Sequence, residues 1–111
     1  MKKPKALQAR QGDVLLEKVP EREIPQGATR IQPQDGILIL RRGEATGHHH
    51  SVDCRRAELY TLSDGSMLLK VNKETTLKHQ EHSPITLTLG VWVIPQEQVE
   101  YTPQEIRHVT D

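Results

Sequence analysis

At 111 residues, 34% hydrophobic and 27% charged, the chain has room for one domain with a modest core, and without phenylalanine that core must be aliphatic. Fifteen basic residues balance fifteen acidic ones, which excludes the net basic signature of a polyanion-binding protein. The single cysteine, Cys54, excludes an internal disulfide. With no signal peptide and no apolar run of ~18 residues, this composition points to a cytoplasmic, soluble protein rather than a membrane one.

Taken in chain order, Met1 to Arg10 carries Lys2, Lys3, Lys5 and Arg10 and no acid. Residues 1–11 therefore read as a flexible basic tail, with contact to nucleic acid or a protein partner as its functional alternative. A single β domain is expected over 12–111. Its first strand is Asp13 to Val19, stopped by Pro20, and a Pro- and Gly-containing loop follows to Gly27.

Two hairpins come next. Thr29 to Gln34 runs into Asp35-Gly36 and returns as Ile37 to Arg42, and an Asp-Gly pair favours a two-residue turn in which both central residues take positive φ. Pro33 places its strand at an edge, and the continuous apolar run Ile37 to Leu40 implies cover on both faces. Glu58 to Ser63 turns at Asp64-Gly65 into Ser66 to Val71. A two-residue loop there would set Leu62 opposite Met67.

Thr76 to Gln80 is a short strand, Ile85 to Leu89 alternates cleanly, and Val91 to Ile94 forms another strand before Pro95. Gln98 to Tyr101 is expected to close the sheet, and Thr102-Pro103-Gln104-Glu105 carries the start signals of a short C-terminal helical turn. About eight short strands joined by tight turns predict an all-β domain, a small β-barrel or sandwich.

Chemistry is concentrated in the histidines. Three of the six stand together in Gly47-His48-His49-His50, and two more follow in His79-Gln80-Glu81-His82. On an extended strand His48 and His50 share one face while His49 opposes them. Two neutral imidazoles on one face can share a first-row metal, but such a site needs further ligands from another segment. His79 and Glu81 share a face if their segment is a strand, and His82 joins them if the chain turns before Ser83-Pro84.

The bland reading is a solvated histidine run on a loop. Gly47 to His50, followed by Glu58 and Gly65, resembles part of the first metal motif of the cupins: a glycine, an HxH pair, a glutamate and a later glycine. The gap from His50 to Glu58 is longer than in that motif, and the stretch from Ile85 onward lacks the second cupin motif. No family is identified from it.

The site expected from these residues is a divalent metal held by His48, His50, His79 and His82, with Glu81 as catalytic base or ligand. Zinc, manganese, iron and nickel are not distinguished. Arg41-Arg42 and Arg55-Arg56 flank the histidine run in sequence; their ordinary reading is solvated surface, but convergence on the histidines would favour a small anionic substrate. Two alternatives stand beside this metalloprotein. One is a metal-free hydrolase or nuclease with histidine acid–base chemistry and Arg41, Arg42 or Lys78 at an oxyanion. The other is a non-enzymatic interaction module or assembly subunit, binding a protein partner or its own copy.

Overall fold

Alternating side chains become strands in the computed structural model, which describes residues 8–12, 14–19, 23–42 and 47–95. They are β1 (Gln8–Gln11), β2 (Val14–Lys18), β3 (Thr29–Ile31), β4 (Ile37–Arg42), β5 (His49–Asp53), β6 (Ala57–Thr61), β7 (Met67–Val71), β8 (Thr75–Leu77), β9 (Ile85–Leu87) and β10 (Gly90–Ile94). Six form one antiparallel sheet in the order β1-β2-β10-β7-β6-β3, while β4 pairs with β5 and β8 with β9. A two-bond bridge between Ser51 and Lys78, at 3.0 and 2.9 Å, joins the two small ladders.

The all-β domain is as expected, with ten strands in place of about eight. No ladder closes into a barrel among the described residues, and β1 and β3 end the large sheet as edges. The expected helical turn at Thr102 and the strand from Gln98 lie outside the described residues.

One core unites the three ladders: Leu16, Leu40, Val52, Leu59, Leu77 and Leu87 come from six different strands and are all buried. Each such side chain contributes ~1.5–3 kcal/mol on leaving water, so a purely aliphatic set can hold a domain of this size. Trp92 is the one aromatic in this cluster, and its indole N–H is satisfied by the Thr88 carbonyl, to which it donates at 3.0 Å.

The tail expected over 1–11 needs correction. Gln8–Gln11 is a strand, paired with β2 from Gln8↔Glu17 to Gln11↔Val14. An edge strand needs few apolar residues, so Gln-Ala-Arg-Gln carried no periodic signal of its own. Residues 1–7 lie outside the described residues.

The Asp35-Gly36 turn forms as predicted, with φ of +52° and +84°. Its flanks then part. Only Gln34 and Ile37 pair across it, while β3 leaves for β6 and β4 for β5. Pro33 has no N–H to give a ladder, and β3 does occupy an edge. In the second hairpin Thr61, not Leu62, faces Met67. The loop is one residue longer because Gly65, at φ +91°, adds a bulge after the turn, and Asp64 Oδ1 accepts from the Ser66 N–H and hydroxyl.

Glu58 and Tyr60 share a face of β6. The Tyr60 hydroxyl donates to Glu58 Oε1 at 2.5 Å and Asn72 Nδ2 donates to Oε2 at 3.3 Å, which holds the Glu58 carboxyl below its ordinary range. A lowered carboxyl pKa stabilises the fold above the ordinary carboxylate range and loses that contribution as pH falls through the lowered value. Tyr60→Phe should therefore raise the Glu58 pKa in an NMR titration and cost at most ~1 kcal/mol near neutrality, since the pair is largely solvated. The difference from wild type should shrink on acidification; a constant difference would show that the Tyr60 hydroxyl acts by a route other than the ionised Glu58 carboxylate.

Candidate functional site

Two backbone devices assemble the histidines. Strand β5 starts at His49, and alternation turns the His50 ring inward, where it is 2% exposed. The Ser51–Lys78 bridge fixes the register between β5 and the end of β8, so the next residue on each side, His50 and His79, comes abreast. Their ring centres lie 4.4 Å apart. A bulge in β4 falls opposite this point: Ile39 pairs with Ser51 but Arg41 with His50, leaving Leu40 as the extra residue. Bulges of this kind are common beside sites, because they bend the strand and re-aim its side chains.

Beyond Leu77 the chain leaves the strand and turns. The Glu81 N–H donates to His79 Nδ1 at 3.0 Å, and the fold-back sets the His82 ring 4.5 Å from His79 and 6.0 Å from His50. The turn that His82 required is therefore present. His48, just before β5, closes the group with its ring 5.6 Å from His79. Its Nε2 is 3.9 Å from Glu81 Oε2, so the expected base sits at the exposed rim of the cluster.

All five residues expected at the site, His48, His50, His79, His82 and Glu81, come together. His49 does not: its N–H donates to Gln80 Oε1, and its Nδ1 is buried without a hydrogen-bond partner among the described residues.

Ring proximity is not yet ligand geometry. Among the described residues no three histidine, cysteine or acidic side chains stand ready to hold one ion. His79 shows one reason. Its Nδ1 lone pair accepts a backbone N–H and the neutral ring then carries its proton on Nε2, so His79 can ligate only after releasing that bond or moving that proton.

Sequence reasoning missed two residues, both at the end of β1. Gln11 is buried, its Oε1 2.8 Å from His50 Nδ1 and its Nε2 donating to the Leu77 and Ser83 carbonyls at 2.8 and 2.9 Å. Gly12 gives the His82 ring its place: a Cβ there would stand 2.6 Å from His82 Nε2, and the backbone is at φ +60°. A polar pair in a basic segment has no local signature of this role. Only the docking of β1 reveals it.

The arginines divide. Arg41 and Arg42 lie across the ladder from His50 and His49, and Arg42 Nη2 donates to Gln34 Oε1 at 2.7 Å. Arg55 and Arg56 instead line a groove of about 620 Å³ with Cys54, Glu74 and Lys78. There the Arg55 guanidinium grips Asp53 and holds its carboxyl down to about 2. Arg42, Arg55 and Arg56 are exposed, in line with the ordinary solvated-surface reading, and the two pairs do not converge on the histidines. No helix among the described residues is long and apolar enough to cross a membrane.

The sequence model of a family described as Domain of unknown function (DUF8820) matches residues 10–97, most of the chain. The chain belongs to that family. The matched span of the DUF8820 domain includes Gln11, Gly12 and every residue of the histidine cluster, so the site lies inside the domain and is not an appendage to it. No curated protein and no solved structure matches the chain. The cupin likeness gains nothing from the geometry, because Glu58 is engaged by Tyr60 and Asn72 on β6.

Proposed function

We propose that this domain is a histidine-based metalloprotein in which His50, His79 and His82, with His48 completing the set, bind one divalent ion. The observation that carries the reading is the spacing of the rings, 4.4 to 6.0 Å between centres. Tetrahedral metal–imidazole bonds of ~2.0–2.1 Å put ring centres roughly 5 Å apart, so side-chain rotations, with release of the Glu81 N–H from His79 Nδ1, would bring the nitrogens together without moving the ring centres far. Neutral imidazole is the form that ligates a metal ion.

Imidazole donors suit zinc, nickel, copper and iron better than manganese, which prefers carboxylates. A bound ion of this kind can lower the pKa of a coordinated water to ~7. Glu81, at the exposed rim beside His48, would take a proton from a small substrate or serve as a further ligand, a role that its 3.9 Å distance from His48 Nε2 supports. The same proposal extends to architecture: the bridged β4–β5 and β8–β9 ladders act as a second layer over the six-stranded sheet, giving an open sandwich.

The test is equilibrium titration of tag-free protein with zinc and with manganese. One zinc per chain, bound more tightly than manganese and released on acidification as the ligands take up protons, is the expected result. Absence of stoichiometric zinc binding would overturn the proposal.

A further inference from the structure

We infer that Gln11 is the positioning residue of the histidine site, fixing the His50 tautomer that carries its lone pair on Nε2 while tying down both ends of the turn that bears His79, Glu81 and His82. An amide side chain can be placed either way round, and its neighbours decide. Here the Gln11 Nε2 faces two backbone carbonyls, Leu77 O at 2.8 Å and Ser83 O at 2.9 Å. A carbonyl oxygen only accepts, so the amide NH₂ must point at them. Oε1 then faces His50 Nδ1 at 2.8 Å, and because an amide oxygen also only accepts, the hydrogen lies on Nδ1. In the neutral ring the lone pair is left on Nε2, the atom on the far side of the imidazole from Gln11.

The arrangement is enclosed. Gln11 and His50 are each 2% exposed, so water does not stand in for either partner. One side chain thereby links three segments of the site: β1, β5, and the turn whose start and end are Leu77 and Ser83. Metal-binding histidines almost always donate their second ring N–H to an oxygen acceptor, which orients the ring and sets its donor atom. Gln11 Oε1 is such an acceptor. A purely structural glutamine would need only the two carbonyls; the third bond selects one nitrogen of a titratable ring. The consequence for metal affinity rests on the function proposed above, whereas the tautomer does not.

Long-range 1H–15N correlation spectra of the full metal-free chain, taken above the range where imidazoles protonate, read the tautomer directly. Wild-type His50 should show a protonated Nδ1 and a pyridine-like Nε2. Gln11→Leu should lose that preference, whereas Gln11→Glu, which keeps an acceptor at Nδ1, should retain it. In zinc titrations Gln11→Leu should bind ~10–100-fold more weakly, with Gln11→Glu recovering part of the loss. A wild-type His50 protonated at Nε2 overturns the inference, as does a folded Gln11→Leu protein with an unchanged tautomer. The expected tautomer in wild type together with no zinc binding would uphold the role of Gln11 and remove the metal proposal instead.

Discussion

Alanine at His79 or His82 is expected to weaken zinc binding by more than the ~10–100-fold typical of outer-shell changes, while His49→Ala leaves affinity unchanged. Both rings touch two or more others in the cluster, and a tetrahedral ion that loses one of them has no nearby imidazole to replace it. His50→Ala should be as severe for binding, but it also leaves Gln11 Oε1 buried without its donor, a cost of ~1–3 kcal/mol that a thermal melt would register. His82, exposed and held against Gly12, is the cleaner probe because its removal disturbs no buried hydrogen bond. At His48 a smaller loss is expected, since the Glu81 carboxylate beside it can take the vacated position. Isothermal titration of the single variants separates these cases. Equal losses at His48, His49 and His50 would refute the placement of the site.

Those five side chains were legible in sequence because their arrangement follows from local rules. Parity along β5 turns His50 inward, away from the side that His49 takes, and a break before Ser83-Pro84 is enough to bring His82 back. The Asp35-Gly36 turn was legible for the same reason, being set by the φ preferences of two residues. What each strand pairs with is a different matter. Ile37 to Arg42 looks the same in sequence whether it joins β3 or β5, and the choice falls to the core that Leu38 and Leu40 fill with Val52. β1 was hidden by its polar edge position. With it went Gln11 and Gly12, whose contacts to Leu77, Ser83 and His82 lie far along the chain, where no short-range pattern reaches.

Leu69→Ala should cost ~2–5 kcal/mol, and zinc should restore part of it. Leu69 is 0% exposed on β7, between Leu59 and Trp92 in the ladders on either side. Its truncation leaves a cavity that an aliphatic core has little slack to fill, in a domain whose whole stability is ~5–15 kcal/mol. At ~4–8 °C per kcal/mol for a small domain, the melting temperature should fall by roughly 10 °C or more. Leu89→Ala is the control: Leu89 is 56% exposed and its loss should stay within ~0.5 kcal/mol. A ligand that binds only the native state adds stability by mass action, about 2.7 kcal/mol at 100 times its Kd. Zinc should therefore raise the melting temperature of Leu69→Ala and do nothing for the double variant that also carries His82→Ala. The two substitutions lie in separate parts of the fold, so their effects on the metal-free protein should add. An equal zinc shift in both proteins would mean that the ion binds somewhere other than the histidine cluster, and a Leu69→Ala melt as mild as that of Leu89→Ala would mean that β7 does not carry the core.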